Sequence, residues 1–189
     1  MTQDANTKLV KKLVLITIGM FGFGFALVPL YDVFCDITGL NGKTSTIAAN
    51  AADAKLNTSR QIEVQFIARN HQGIPWQFSP KINKVDVHPG EIKQVDFFAH
   101  NLSSKNIVGQ AVPSVSPGIA AGYFNKIECF CFFQQPLLAG DETLMPLKFY
   151  IDADIPDSIH TITLSYTLYD ITDSLEKDES EQLFANLGK

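Results

Sequence analysis

Hydrophobic and polar positions along the chain fall into two regimes. In residues 13–34, LVLITIGMFGFGFALVPLYDVF, the apolar run is broken by one charge, Asp32. Coiled as a helix, this stretch would be about 33 Å long, enough for a hydrocarbon core of about 30 Å. Pro29 sits near its far end, where a kink or a helix end is tolerated. A cleaved signal peptide would carry a shorter apolar stretch followed by an Ala-x-Ala site. A lipoprotein signal would place small residues before Cys35, where bulky Phe34 stands. The run therefore reads as a retained signal-anchor.

From Arg60 onward the pattern changes to short runs separated by turn formers. QIEVQFIAR (61–69), IPWQFSPK (74–81), KVDVH (84–88), EIKQVDFFAH (91–100) and NIVGQAV (106–112) come first. KIECFCFF (126–133), TLMPLKFYID (143–152) and HTITLSYTLYD (160–170) follow. Breaks fall at Asn70–Gly73, Pro89-Gly90, Ala139-Gly140 and Ile155–Asp157, and no segment keeps a long 3.6-residue period. About eight short strands at such spacing predict an all-β, immunoglobulin-like β-sandwich over residues 60–172, with Trp76 in its core. Residues 35–59 read as a membrane-proximal segment and tether, because 43–59 are small, polar and without periodicity. Residues 173–189 read as a short acidic tail, mobile or weakly helical.

Charge orients this arrangement. Lys8, Lys11 and Lys12 precede the span, while Asp32 and Asp36 flank its far end. That bias predicts residues 1–12 in the cytoplasm and everything after residue 34 outside. Outside is the periplasm for a bacterial inner membrane and the intermembrane space for a mitochondrial one. The formal net charge of −5 argues against a nucleic-acid partner. Three cysteines are too few for a disulfide scaffold, and an odd number leaves one over. No Cys-x-x-Cys is present, which removes the usual zinc spacing and the thioredoxin-type motif.

The stretch with the most distinctive chemistry is KIECFCFF. Rich in β-branched and aromatic residues and free of Gly and Pro, it reads as one strand through 126–133. Alternation then puts Cys129 and Cys131 on the same face, with Cβ atoms about 6.5–7 Å apart. A disulfide needs Cβ atoms about 3.8 Å apart, so bridging the pair would require the strand to buckle. Two unbridged thiols on one face suit a soft ion, and thiolate is the ligand class that selects Cu(I). The competing account makes Ile127, Cys129, Cys131 and Phe133 a single core-facing row, since free Cys is often buried. Met145 offers a soft thioether but equally suits a core. His71, His88, His100 and His160 are scattered beside turns and strand ends, without metal-ligand spacing. No Gly-x-Ser-x-Gly elbow, phosphate loop or dinucleotide fingerprint appears.

Several stretches line up with one family. YDVFC…TG at the end of the span, GQAVPSVSPG, YFNKIECFCFF and LLAGDETLMPLKFYID resemble the CtaG family of cytochrome c oxidase assembly proteins, over most of residues 28–152. The resemblance implies a membrane-anchored copper chaperone, not an enzyme, with an immunoglobulin-like domain. Its cargo would be Cu(I), delivered to the copper-B centre of oxidase subunit I, and some members of the family dimerise, which makes a homodimer through the copper site an implied arrangement. By position, the family's copper ligands fall on Cys129 and Cys131, and its membrane-proximal cysteine, needed for copper transfer or thiol redox, falls on Cys35. Met145 occupies the Met-Pro position after the motif, as an auxiliary. The chain departs from the pattern at Phe133–Pro136, at Gly140-Asp141 and at Asp152-Ala153, all near strand ends rather than at the thiols.

Two other classes remain open at this level. An extracytoplasmic thiol–disulfide oxidoreductase would use the same cysteines, although a mid-strand pair lacks a helix N-terminus to stabilise thiolate. A structural immunoglobulin-like module would simply bury them.

Overall fold

A computed structural model of the chain describes residues 3–38, 49, 56–185 and 187, with the backbone alone for 3–6, 32, 35–38, 177 and 178. It comprises two compact units, residues 1–41 and 42–189.

The first unit is helix α1, Gln3–Thr38, with Pro29 inside it. The helix outruns the predicted span at both ends, taking in the three lysines before it and the backbone of Cys35 after it. A helix has no reason to stop where the apolar run begins, because Lys and Asn at the first turns cost it little. Within α1, Thr7–Tyr31 is long and apolar enough to cross a membrane. Its bulky side chains, Phe21, Phe23 and Phe25 among them, are exposed. Most of the proposed tether lies outside the described residues. One described position within it, Ala49, donates its N–H to the Lys126 carbonyl at 2.6 Å.

The second unit is all-β. Its strands are β1 (Ile62–Asn70), β2 (Trp76–Pro80), β3 (Lys84–Val87), β4 (Lys93–Asn101), β5 (Ile107–Ser116), β6 (Phe124–Cys129), β7 (Gln135–Leu137), β8 (Glu142–Ile151) and β9 (Thr161–Asp170). One sheet has the order β3-β1-β9-β5-β7 and the other β2-β4-β8-β6. Neighbours are antiparallel except β1 and β9, which run parallel from Glu63↔Thr161 to Asn70↔Leu168. A short helix, α2 (Lys177–Ala185), follows in the acidic tail.

The two sheets face each other across one apolar core, the sandwich that the strand spacing predicts and one compatible with the immunoglobulin type. Period-two alternation builds it. Ile162, Leu164, Tyr166 and Leu168 of β9 point inward and are fully buried, as are Ile62 and Val64 of β1. Aromatic rings close the gap between sheets. Phe66 of β1 meets Phe97 of β4 edge-on at 6.1 Å and Phe149 of β8 at 5.9 Å. Tyr166 meets Phe97 at 5.2 Å, also edge-on, a preferred arrangement for aromatic quadrupoles. Trp76 is buried as expected. Its ring lies against Gly109, where an added Cβ would approach two ring carbons to 3.0 Å, so no larger residue fits without a shift.

Turns obey their sequence signals. Gly90 and Gly140 hold positive φ, 81° and 76°, in the Pro89-Gly90 and Ala139-Gly140 breaks, a conformation glycine adopts without penalty. Two features depart from the sequence expectation. Strand β5 continues to Ser116 through Pro113, because its pairing with β7 ends at Gly109 and only β9 accompanies it beyond. A proline is tolerated at such an edge. The run expected as one strand over 126–133 is instead β6, a turn and the short strand β7.

Candidate functional site

Strand β6 loses its alternation twice, and the cysteines sit where it does. Its pairing with β8 shifts register between Lys126↔Phe149 and Glu128↔Lys148, leaving Ile127 as an extra residue. Phe124 and Lys126 point inward; unbroken alternation would send Glu128 inward next. The bulge resets the phase, so Glu128 is exposed and Cys129 is buried. Bulges re-aim side chains in this way beside functional sites.

The second break follows at once. Cys129 and Phe130 are 2% and 5% exposed, and on a continued strand two successive side chains would point to opposite faces. The backbone turns instead, as one turn of 3₁₀ helix over Phe130–Phe132. The anchor is the Phe130 ring, 4.8 Å from Tyr166, 5.2 Å from Phe97 and 6.1 Å from Phe78. Gln135 Nε2 donates to the Phe130 carbonyl at 3.0 Å and Gln110 Nε2 to the Cys131 carbonyl at 3.1 Å, fixing the turn from both sides.

This turn corrects the expectation that Cys129 and Cys131 stand unbridged on one strand face. Two strand rises of about 3.3 Å contract to a Cα–Cα separation of 5.1 Å, and the cysteines form a disulfide. The buckling that bridging requires is supplied by burial of Phe130. The core-row alternative is corrected too. Cys129 is buried, Ile127 and Cys131 are half-buried, and Phe133 is 71% exposed.

The two sulfurs have different surroundings. The Cys131 N–H donates to Cys129 Sγ at 3.1 Å. Tyr166 Oη lies 3.0 Å from Cys129 Sγ and 3.7 Å from Cys131 Sγ. Burial pushes the Tyr166 hydroxyl far above its ordinary pKa, so it is a neutral group able to donate to sulfur. Lys126 Nζ lies 3.9 Å from Cys131 Sγ and 5.4 Å from the centre of the Phe132 ring. Lys126 is 2% exposed, and burial lowers its pKa to about 8.

Tyr166 and Lys126 were missed by the motif. The signal for Tyr166 was available: it is the one polar-tipped residue in the inward row of β9, and a buried Tyr hydroxyl needs a partner. Lys126 could not be placed inward without knowing the bulge.

A sequence profile for the family described as cytochrome c oxidase assembly protein CtaG/Cox11 matches residues 27–170. The chain belongs to this family. Curated relatives agree. Cytochrome c oxidase assembly protein CtaG of Sinorhizobium fredii is 42% identical over 172 residues, covering 88% of this chain and 85% of its own. Its namesake in Rhodopseudomonas palustris is 43% identical over 163 residues, covering 84% and 77%. The namesake in Ruegeria pomeroyi is 38% identical over 176 residues, covering 90% and 91%. CtaG/Cox11 proteins are assembly proteins of cytochrome c oxidase, and the matched region of this chain includes all three cysteines.

Within this CtaG/Cox11 chain, the structure brings together Cys129, Cys131, Tyr166 and Lys126. Met145 is not in that set; it is 2% exposed on β8, paired with Phe97 in the core. Cys35 belongs to the last turns of α1, and its side chain lies outside the described residues. His71 stacks on Tyr169 at 4.7 Å, and His88 Nδ1 lies 2.8 Å from the Arg60 carbonyl oxygen. Among the described residues, no group of three or more His, Cys, Asp or Glu could hold a metal ion. The sulfur pair, once reduced, offers two thiolates, the low coordination by soft ligands that Cu(I) accepts.

Proposed function

We propose that this chain is a membrane-anchored copper chaperone that carries Cu(I) on Cys129 and Cys131 and delivers it to the copper-B centre of oxidase subunit I. The observation that supports it is the paired sulfurs at the 129–131 turn, in a chain whose family assembles this oxidase. Copper is cargo here. The pair must first be reduced; the two thiolates then hold the ion, with a second chain's pair completing the site in a homodimer. Imidazoles of subunit I take the ion by ligand exchange; Met145, buried in the core, takes no part. Residues 13–34 form the signal-anchor, residues 1–12 face the cytoplasm, and the domain from about residue 60 faces the periplasm of a bacterial inner membrane. Anchoring donor and acceptor in one membrane raises their effective concentration. Cys35, at the membrane end of the 35–59 tether, acts in transfer or as a redox thiol rather than as a standing ligand.

The test is anaerobic reduction of the full-length protein in detergent, addition of Cu(I), removal of loose metal by a competing chelator, and X-ray absorption. Sulfur-only coordination is expected, with tight copper lost in Cys129→Ser and in Cys131→Ser while the fold is kept. Full copper content in the double serine variant would overturn the assignment. For Cys35→Ala, copper content should stay normal while copper-B occupancy of the oxidase falls; normal oxidase would remove Cys35 from the mechanism.

The disulfide favours a second reading, an extracytoplasmic thiol–disulfide oxidoreductase. Insulin reduction by the purified chain separates the two: an oxidoreductase catalyses it and a chaperone does not.

A further inference from the structure

We propose that the two sulfurs are not equivalent: Cys131 is the one an external thiol attacks when the bridge is opened, Cys129 is the leaving sulfur, and Tyr166 is the positioning residue that receives it. This rests on the chaperone reading, in which the pair is reduced before it takes cargo.

The asymmetry is in the packing. Cys129 is 2% exposed, enclosed by the Phe130 turn and the inward row of β9, whereas Cys131 is half-buried and reachable. The Lys126 ammonium lies 3.9 Å from Cys131 Sγ and draws an incoming thiolate to that sulfur. On the other side, Cys129 Sγ already has two groups placed to donate to it, the Cys131 N–H at 3.1 Å and the Tyr166 hydroxyl at 3.0 Å. Exchange rates depend on which sulfur is attacked and on how well the leaving thiolate is stabilised. Access favours Cys131 as the sulfur attacked, and two close donors, against one at 3.9 Å, favour Cys129 as the one that leaves.

The reductant is a dithiol. One of its thiolates attacks Cys131 Sγ; a mixed disulfide forms there, the Cys129–Cys131 bond breaks, and its electron pair passes to Cys129 Sγ. The thiolate so formed accepts hydrogen bonds from Tyr166 and from the Cys131 N–H. The reductant's second thiolate then attacks its own sulfur in the mixed disulfide, closing an oxidised ring and releasing Cys131 as a thiolate beside Lys126. The dithiol loses two electrons, the protein pair gains them, and the two thiol protons pass to solvent.

The experiment uses full-length, metal-free protein in detergent on a Cys35→Ser background, so that only the pair reacts. First, the single-cysteine chains made by adding Cys129→Ser or Cys131→Ser are timed against dithiobis(nitrobenzoate). Cys131 should react at least tenfold faster than Cys129; equal rates, or a faster Cys129, overturn the assignment. Second, reduction of the intact bridge by dithiothreitol is followed by mass spectrometry with and without Tyr166→Phe, which removes one hydroxyl and keeps the ring. Loss of a donor to thiolate should slow reduction about fivefold, the size expected for one hydrogen bond, and lower the reduced fraction at equilibrium. A merely structural role for Tyr166 predicts the opposite sign, since a loosened corner exposes the bridge and speeds its reduction; unchanged or faster reduction overturns the role given to Tyr166. Copper content of the reduced parent chain is read in parallel. Unequal sulfurs without copper binding would sink the chaperone reading alone, and copper binding with equal sulfurs would sink this inference alone.

Discussion

Strands β9 and β6 line the same core and behave differently. Both are antiparallel to a long neighbour, β9 to β5 and β6 to β8, and both face the core of the sandwich. Over its ten residues β9 alternates without a break, and its inward row is wholly apolar except for the Tyr166 hydroxyl. Strand β6 breaks phase at Ile127 and again at Cys129. Its inward side chains include an amine and a sulfur beside the aromatic ring of Phe124. The unbroken strand supplies stability, and the broken one brings reactive groups together. They meet where the Tyr166 hydroxyl of β9 touches Cys129 of β6. Regular pleating fixes where that hydroxyl is, and the irregular backbone opposite brings Cys129 Sγ to it.

If that division of labour is right, the largest loss of stability comes from the centre. Phe97 is fully buried and contacts the rings of Phe66, Phe78, Phe130 and Tyr166. Phe97→Ala should cost about 3–5 kcal/mol, the transfer term plus an unfilled cavity, read from the urea midpoint. A cost near that of a surface change would mean the centre is not where stability resides. Phe130 tests the corner. Phe130→Ala should cost about 3 kcal/mol, the lower end of the same range, because its turn borders solvent. It should also free Cys131 to react faster with thiol reagents, which Phe97→Ala should do less.

The centre was legible in the sequence and the corner was not, for a physical reason. Alternation is a local rule, so the runs at 61–69, 84–88, 91–100, 143–152 and 160–170 locate β1, β3, β4, β8 and β9 to within about two residues. Strand β7, only three residues long, carries no period to detect. The bulge at Ile127 is fixed by the register with β8, and the turn at Phe130 by rings from β2, β4 and β9. Neither is written in the eight residues 126–133 themselves. The cysteines announce the site, but whether they bridge depends on where Phe130 finds its pocket.

Lys126 sharpens the comparison through pH. Burial lowers its pKa to about 8 in the folded chain, against 10.5 for the ordinary group. The unfolded chain therefore holds the extra proton between these values, and stability must rise with pH through that window. It is lost again as pH falls through the folded pKa, and below it both states are protonated and the penalty is constant. Each unit of depression is worth about 1.4 kcal/mol. Urea midpoints of the disulfide-bonded protein should climb between about pH 8 and 10 relative to Lys126→Met, whose profile should be flatter. Parallel profiles would show that Lys126 stays charged at no cost, and that the corner is wetter than its packing indicates.

The smallest effect is predicted for the aromatic that sits next to the site and outside the core. Phe133 belongs to the same run as Phe130, yet it is 71% exposed. It has left the 3₁₀ turn with extended backbone, φ −126° and ψ 157°, and its N–H still reaches the Phe130 carbonyl at 3.4 Å. That contact is made by the backbone, so it survives a change of side chain. Phe133→Ser should accordingly move stability by no more than about 0.5 kcal/mol, as for surface positions without special contacts. The cysteine reactivities should stay where they are. Set beside Phe130→Ala, the pair reads out the turn directly: on one continuous strand with Cys129 inward, Phe133 would share the buried face and Phe130 would be exposed, so the order of the two costs would be reversed. A cost for Phe133→Ser comparable to that of Phe130→Ala would mean both rings are covered in solution, and that the turn is only one of the conformations this segment adopts.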